Sequence, residues 1–280
     1  MEELTTYIQP SVTNEVVVLI PHFNNYKGLK IALKSIKETI PFDVVVVDDG
    51  STKDQIDQID IKSVLTSASG LSIIRLSQNQ GIEHALNTGL THIKKKKYTF
   101  IARLDCDDRN RELRLEKQIN YLKTYPNTAI VGSQVQFINK QGDSLYKLNL
   151  PAEDKDIRNK MYLNAMLIHP TIVFRTKILD QINGYPTSYK AAEDYAFFWA
   201  ILKLKKYKMA NLKDTLVDCI IDENGISTLQ RDNQLKSRLK LIKENFKWQL
   251  YPILGLLKTI ITIYTPFKLL LRIKSIVYGR

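Results

Sequence analysis

Short apolar runs alternate, in the first half of the chain, with segments in which apolar residues recur at helical spacing. The runs at 16–20, 44–47 and 73–76, and a fourth that begins near Tyr98, are typical of strands buried on both faces. Helices are predicted at 26–40, 82–93, 112–125 and 195–204, and another strand at 129–139. A further helix is predicted at roughly 52–65, because Ser51 and Asp54 have the spacing of a capping box. This alternation predicts βαβ crossovers and an α/β fold built on a parallel sheet.

Each of the first four predicted strands ends in a polar cluster: HFNN at 22–25, DDGS at 48–51, SQNQG at 77–81 and DCDD at 105–108. The carboxyl ends of parallel strands share one edge of an open sheet, and ligands bind at that edge. Loops are commonly polar, which is enough to explain any one of the clusters. Four clusters that meet at the same edge favour a ligand-binding site.

The DCDD cluster holds three carboxylates in four residues, Asp105, Asp107 and Asp108. Like charges this close repel unless a cation or several donors offset them, and hard oxygen ligands suit Mg²⁺ or Mn²⁺. We expect Asp105 and Asp107 to face one ion, with Cys106 on the opposite side. The alternative is that Asp108 or Asn110 caps the following helix.

Composition allows one substantial domain, or one domain with an extension, because the 280 residues are 44% hydrophobic. The two cysteines give no disulfide framework, and the first residues are acidic and polar where a signal peptide is basic and then apolar, which favours the cytoplasm. The net charge of +12 implies an anionic partner: nucleic acid, a membrane surface or a phosphorylated small molecule. The lysine run 94–97 is interpreted as a solvated turn, and no nucleic-acid partner is expected.

The last part of the chain has its own pattern, since no acidic residue follows Glu244 while basic, aromatic and aliphatic residues are interspersed. The uncharged runs 248–257 and 259–267 are shorter than the roughly 18 to 20 residues of a spanning helix, and Pro252 and Pro266 interrupt them. We therefore expect residues 245–280 to lie on an anionic membrane surface. The alternative is a helix packed on the catalytic domain or on a partner.

The motifs VVVLIPHFNN, VVVVDDGS, NQGIEHALNTGL and LDCDDRNRELRLEKQ, in this order and spacing, resemble the nucleotide-binding half of the family 2 glycosyltransferases, which have the GT-A fold. The resemblance continues through IHPTIVFR, Gly184-Tyr185 and AAEDYAFFWAIL, and more weakly into ENGISTLQ, so that it covers about residues 14 to 230. It implies a Rossmann-like, mostly parallel nucleotide-binding sheet with helices on both faces. The implied organisation is a catalytic domain at 1–230 and a helical, basic amphipathic extension at 231–280.

The resemblance also implies roles for individual residues. Those similar to the family's nucleotide-binding positions are Pro21, Phe23, Asn24, Asp49, Asn79, Gly81, Asn87 and Asp105. Asp107, together with Asp105, matches the metal site for Mn²⁺ or Mg²⁺, and Asp194 matches the catalytic base, with Glu193 the next candidate. Contacts with the acceptor or the sugar are expected from His169, Gly184 and Tyr185.

Simpler interpretations stay open for several of these residues. Asp194 begins an apolar helix, so it is also a candidate helix cap. His169 suits a structural histidine at a strand entry, and Gly184-Tyr185 suits a plain turn with a packed ring. One departure from the family is that its Tyr-Arg pair is replaced by Cys219-Ile220. Candidate basic replacements are Arg231, Lys236 and Arg238.

The function implied by the resemblance is a metal-dependent, inverting glycosyltransferase that moves a sugar from a nucleoside diphosphate, most simply UDP, to an acceptor hydroxyl. A glycan or lipid-linked acceptor, surface-polysaccharide, lipopolysaccharide or glycoprotein assembly, and a place at the inner face of the cell membrane are expected. The alternatives are a phospho-acceptor signalling domain and a non-catalytic membrane- or nucleic-acid-binding protein. The signalling domain leaves the DCDD cluster and the pair Glu193-Asp194 unused, and the binding protein does not account for the carboxylates at the sheet edge.

Overall fold

One sheet runs through the computed structural model, which describes residues 2–8, 14–57, 60–64, 68–221 and 229–265. Its strands are β1 Glu2–Ile8, β2 Val16–His22, β3 Asp43–Asp48, β4 Gly70–Leu76, β5 Phe100–Arg103, β6 Arg109–Asn110, β7 Thr128–Ile138, β8 Ser144–Leu148, β9 Val173–Arg175 and β10 Lys208–Ile220. The helices are α1 Tyr26–Ser35, α2 Asp60–Val64, α3 Ile82–Lys94, α4 Arg114–Thr124, α5 Asp154–Lys160, α6 Glu193–Lys203, α7 Arg231–Glu244 and α8 Leu250–Tyr264.

The strand order is β1-β4-β3-β2-β5-β9-β7-β10-β6, and β8 pairs with β7. Strands β4, β3, β2 and β5 are parallel, as their spacing predicted. Strand β9 is antiparallel to both β5 and β7, and β7 pairs in parallel with β10. The strands that the motifs predicted for nucleotide binding, β4, β3, β2 and β5, therefore form the parallel part of a mixed sheet.

Alternate residues of the central strands enter two separate apolar cores. Val17 and Leu19 of β2 lie in one core with residues of α3 and α6, whereas Val18 and Ile20 lie in the other with residues of α1 and α4. A strand that packs against helices on both sides must be apolar at consecutive positions. This arrangement accounts for the run VVVLI and confirms the α/β prediction.

Two elements differ from the prediction. Within the described part of 52–65, the expected helix is present only as α2, because Ser51 and Asp54 are engaged elsewhere. The Ser51 hydroxyl accepts the Asn24 N–H at 2.8 Å, and the Asp54 carboxylate accepts the Lys27 N–H at 3.3 Å, so the expected capping box does not form. Strand β1 was not predicted; it pairs antiparallel with β4, with Leu4 opposite Ile74, and covers an edge of the sheet.

The C-terminal helices pack on the rest of the fold. Leu241 and Ile242 of α7 belong to the core that contains α6. Helix α8 approaches through Gly255, where a Cβ atom would lie 2.3 Å from the Tyr162 carbonyl oxygen. Among the described helices, none has the length and apolar character required to cross a membrane. Most of ENGISTLQ and the predicted membrane segment beyond 265 lie outside the described residues.

Candidate active site

Buried carboxylates join the loops that follow β2, β3 and β4. Asp49 accepts the backbone N–H groups of Gln80 and Gly81, both at 2.9 Å, and burial raises the pKa of Asp49 above its ordinary value despite these donors. Asp48 accepts the Ser51 N–H at 3.1 Å and lies 3.2 Å from His22 Nδ1. The two aspartates of DDGS thus hold separate loops in place.

The other residues predicted for nucleotide binding fall into two groups. Some are exposed and can contact a ligand, and others support the loops. Phe23 and Asn79 are exposed at this edge. Asn24 has a left-handed backbone, φ 49°, and its Oδ1 accepts the N–H groups of Thr52 and Lys53 at 3.0 and 2.8 Å. Asn24 therefore supports the DDGS loop, while Phe23 and Asn79 have side chains free to meet a ligand.

The chain turns shortly after β5, at Cys106 and Asp107, and these two side chains contact different segments. Asp107 has φ 76°, and its Oδ2 accepts from Asn25 Nδ2 at 2.8 Å. Gly28 makes room for this carboxylate, because a Cβ atom there would lie 2.2 Å from Asp107 Oδ1. Cys106 donates through Sγ to the carbonyl oxygen of Pro21 at 3.3 Å. Asn25 and Gly28 were missed, although Asn25 belongs to the HFNN cluster.

Asp108 does not cap the following helix. Its Oδ1 accepts the Ile220 N–H at 2.9 Å, and α4 begins six residues later with Leu113 at its N-cap. Burial, and then the neighbouring charge of Asp105, raise the pKa of Asp108 well above its ordinary value. Asp108 therefore attaches the DCDD turn to β10, at the position where the family's Tyr-Arg pair is replaced.

The basic residues considered as replacements lie in the C-terminal helices. Arg231 donates to the Thr262 carbonyl oxygen at 2.7 Å, which ties α7 to α8. Arg238 donates to Asn164 Oδ1 at 2.9 Å and to the Leu163 carbonyl oxygen. Lys236 is exposed. Arg231 and Arg238 thus attach the C-terminal helices to one another and to the body.

A fully buried guanidinium that the sequence analysis missed lies beside Asp105. Arg103, the last residue of β5, donates to Asp105 Oδ1 and lies 3.3 Å from His169 Nε2. Burial alone would raise the pKa of Asp105, but the Arg103 charge holds it below the ordinary value. Burial and the same charge lower the pKa of His169 to about 3, so its imidazole is neutral. In the sequence, the signal for this buried group was a charged residue at the end of the otherwise apolar strand FIAR.

Gly184 and Tyr185 are held by α3. Asn87 donates through Nδ2 to the Tyr185 carbonyl oxygen and accepts the Tyr185 N–H through Oδ1, both at 2.8 Å. Gly184 has φ 78°, and a Cβ atom there would lie 2.4 Å from Asn87 Oδ1, so only glycine fits. The buried Tyr185 hydroxyl lies 2.8 Å from His169 Nε2. These residues form a buried support next to Arg103.

Two carboxylates begin α6. Asp194 Oδ1 accepts the Tyr195 N–H at 2.6 Å, and the helix has Ala192 at its N-cap, so neither acid occupies the cap position. Burial, and then the charge of Asp194, raise the pKa of Glu193 to about 8. Burial raises the pKa of Asp194 to about 6, and the Asp105 charge contributes to that rise. The pair therefore lies within electrostatic reach of the DCDD turn and titrates near neutrality.

The family model described as "Glycosyl transferase family 2" matches residues 17–182, which is more than half of the chain. The chain belongs to glycosyltransferase family 2. A Haemophilus influenzae protein named as an uncharacterized glycosyltransferase is 29% identical over 178 residues, 63% of this chain and 64% of that protein. The amylovoran biosynthesis glycosyltransferase AmsE of Erwinia amylovora is 28% identical over 233 residues, 81% of this chain and 84% of that protein.

Solved structures share the fold of this family 2 glycosyltransferase. S. aureus TarS 1–349 in complex with UDP-GlcNAc aligns with a TM-score of 0.61 at 21% identity, over 86% of this chain and 69% of that one. The mannosyltransferase PcManGT from Pyrobaculum calidifontis, in complex with GDP-Man and Mn²⁺, aligns with a TM-score of 0.60 at 17% identity, over 92% of this chain and 72% of that one. The chain therefore has the predicted GT-A fold.

Proposed function

We propose that this enzyme transfers a sugar, with inversion, from a nucleoside-diphosphate donor to an acceptor hydroxyl in polysaccharide assembly, with Asp194 as the base. The observation that carries the proposal is the half-buried carboxylate of Asp194, which lies in the first turn of α6 and has a pKa raised to about 6. A general base works best when its pKa lies near the working pH. The amylovoran biosynthesis enzyme among the relatives supports a glycan or lipid-linked acceptor.

The proposed step is a direct displacement. The acceptor oxygen attacks the anomeric carbon as the bond from that carbon to the diphosphate breaks, which inverts the configuration, and the acceptor proton passes to Asp194. Glu193, with a pKa raised to about 8, holds its own proton at neutral pH and leaves Asp194 as the ionised partner. The two carboxylates titrate as a pair, so their pKa values belong to the pair.

The residues at the β5 end fit a hard divalent cation such as Mn²⁺ or Mg²⁺. Asp107 is partly exposed and accepts a hydrogen bond from Asn25, while Oδ1 of Asp105 accepts one from Arg103. Among the described residues, no group of three His, Cys, Asp or Glu side chains is placed to hold an ion. Mg²⁺ commonly takes one or two carboxylates and completes its shell with substrate phosphates and water. Asp107, with Asp105 as second candidate, would hold the ion, which neutralises charge on the departing diphosphate.

The nucleotide is proposed to lie along the loops joined by Asp49. Pro21, Phe23, Asn79 and Gly81 border this edge, and Asn24 and Asn87 support the backbones that shape it. UDP is the first candidate, supported by the UDP-GlcNAc complex of the structural neighbour TarS, and GDP is the second, supported by the GDP-Man complex of PcManGT.

The test is a binding and transfer assay across nucleotides. Thermal unfolding is measured with UDP, GDP and TDP, each with and without Mn²⁺, and the corresponding nucleotide sugars are then offered with glycan acceptors. We expect one nucleotide to raise Tm in a Mn²⁺-dependent manner, because a ligand that binds only the folded state stabilises it. Absence of any nucleotide-dependent shift, and of sugar transfer or donor hydrolysis, contradicts the proposal.

We also propose that α8 rests on an anionic membrane surface. One side of α8 packs on Tyr162, while the other exposes Leu250, Leu257 and Ile261, and Lys247 and Lys258 lie in the same segment. Apolar side chains flanked by lysines bind to the interface of a bilayer that contains acidic lipids. This surface is the reason for preferring a membrane-bound acceptor.

A charge on the exposed side of α8 tests this attachment. Leu257→Asp should release the enzyme from vesicles of phosphatidylcholine and phosphatidylserine, and high salt should weaken binding of the unchanged enzyme because it screens charges beyond about 10 Å. Leu4→Asp on β1 is the matched control, since Leu4 and Leu257 are 51% and 52% exposed. If the unchanged enzyme does not bind these vesicles, the membrane proposal is wrong, and α8 serves only to pack on the body.

A further inference from the structure

Arg103 is a fully buried charged group beside the candidate active site. Its Nη1 donates to the carbonyl oxygens of Leu19 and Leu104 at 2.6 and 2.8 Å, and its Nη2 donates to Asp105. A buried guanidinium destabilises the fold unless its donors are satisfied. The second Nη2 proton faces His169 Nδ1 at 3.5 Å, which leaves Nε as the remaining donor.

That donor is received by His169, whose Nε2 lies 3.3 Å from Arg103 Nε. Arginine has only donors, so the imidazole nitrogen facing it must offer a lone pair, which requires a neutral ring. The same nitrogen lies 2.8 Å from the hydroxyl of Tyr185. Arg103, His169 and Tyr185 form one hydrogen-bonded chain, which ends at the Asp105 carboxylate.

Tyr185 is fixed from two further directions. Its ring stacks on Phe197 of α6 with centroids 4.3 Å apart and planes 18° from parallel. Its backbone is held by both polar atoms of Asn87, on α3. The tyrosine therefore links α6, which begins with Glu193 and Asp194, to the guanidinium that holds Asp105.

We propose that Tyr185 and His169 are positioning residues that lock the Arg103 guanidinium, and through it the Asp105 carboxylate, in the direction that the bound donor requires. The inference rests on the proposed function and adds to it the residues that align its donor-side carboxylate. In this role the two residues act through Arg103 and not through contact with the donor. Loss of the chain leaves the guanidinium held only by its Nη1 and Nη2 contacts, so that Asp105 is less precisely oriented while the apolar packing of α6 persists.

The experiment compares Tyr185→Phe, His169→Gln and His169→Phe by donor KM, kcat, acceptor KM and Tm. Tyr185→Phe keeps the ring and removes only the hydroxyl, so we expect the donor KM to rise about tenfold, the effect of losing one buried hydrogen bond. Acceptor KM should stay within about twofold. His169→Phe should raise the donor KM further, by about 10- to 100-fold, as loss of a supporting partner does at a ligand site.

Two further variants distinguish a positioning role of Tyr185 and His169 from a contribution to stability alone. His169→Gln retains an amide oxygen to accept from Arg103 and should restore much of the donor affinity lost in His169→Phe. Tyr98→Phe is the matched control, because it removes a buried hydroxyl that donates to Asp43 Oδ2 at 2.8 Å, remote from Arg103. It should lower Tm as Tyr185→Phe does and leave the donor KM unchanged.

The outcomes that overturn the inference are distinct from those that overturn the function. If the unchanged enzyme binds and transfers a nucleotide sugar but Tyr185→Phe raises the donor KM no more than Tyr98→Phe does, the positioning role is wrong. If the unchanged enzyme binds no nucleoside diphosphate, the proposed function fails and the positioning role with it. Should His169→Phe not fold, Tyr185→Phe and His169→Gln still decide the matter.

Discussion

The acidic cluster after β5 and the acidic pair that begins α6 differ in how their carboxylates are satisfied. After β5, Asp105 has Arg103, Asp107 has Asn25, and Asp108 has the N–H of Ile220. In α6, Asp194 accepts from the adjacent Tyr195 N–H, and Glu193 Oε2 is buried without a hydrogen-bond partner among the described residues.

The difference separates binding from proton transfer. A carboxylate that is held by a fixed donor keeps its charge and direction, which suits it to binding a cation or a polar ligand. A buried carboxylate with few donors has a raised pKa and exchanges protons near neutral pH, as the values of about 8 and about 6 for Glu193 and Asp194 indicate. Asp108 is the exception in the first cluster, since burial raises its pKa in spite of its donor.

The largest effect is expected from Asp194→Asn. The amide keeps the size of the side chain and cannot take the acceptor proton, so transfer should fall by roughly 10² to 10⁴-fold. Donor affinity, measured by titration with the nucleotide, should barely change. The control is Asp214→Asn, which removes an exposed carboxylate paired with Lys117 and should cost little. Near-normal transfer by Asp194→Asn would assign the residue to helix stabilisation and make Glu193 the next candidate base.

Asp107→Asn should affect the acidic cluster after β5, where the metal is proposed to bind. Loss of a hard anionic ligand should weaken Mn²⁺-dependent nucleotide binding and slow transfer together, by about 10²-fold or more if several kcal/mol of charge stabilisation is lost. Calorimetry with and without Mn²⁺ measures the binding component. A folded variant that binds the nucleotide with unchanged Mn²⁺ dependence rules out the metal assignment.

The pH dependence of kcat is a second test of whether Asp194 acts as the base. In the proposed mechanism the ionised form of Asp194 is the base, so activity should rise with pH through about 6 and lose about tenfold per unit below that value. The dependence should be absent from the residual activity of Asp194→Asn. A profile without this rise, measured between pH 5 and 8 on enzyme shown to remain folded, contradicts the base assignment.

The smallest effect is expected from Asp49→Ala, which removes a carboxylate that both binds loops and borders the nucleotide edge. Loss of the acceptor for the Gln80 and Gly81 N–H groups should lower the free energy of unfolding by about 1–3 kcal/mol. Donor affinity should fall about tenfold while kcat changes little. Urea unfolding and donor titration measure the two components; normal donor affinity would restrict Asp49 to loop support.

Several features were predictable because their causes are local. Consecutive apolar residues in VVVLI and VVVV predicted strands covered on both faces, and the polar clusters at their ends predicted the edge that carries Asp49, Asp105 and Asp107. Helix α6 was likewise predictable from its apolar residues. The family motifs added the assignment of chemistry to these residues.

Other features depended on contacts between distant parts of the chain. Ser51 and Asp54 have the spacing of a capping box, but the N–H groups of Asn24 and Lys27 occupy their side chains, and the predicted helix is reduced to α2. The expectation that Asp105 and Asp107 face one ion stays a prediction, but the partner of Asp107, Asn25, comes from a distant part of the chain.

The sequence by itself determined the strand and helix periodicity, the sheet edge and the identity of the acidic residues, because these follow from the order of apolar and polar residues. Only the tertiary structure decided which carboxylates are paired and which titrate near neutrality. Arg103, His169 and Tyr185 lie on separate segments, and no spacing along the chain brings their side chains together. The pKa of a carboxylate depends on burial and on such neighbours, so the difference between the two acidic clusters exists only in the folded protein.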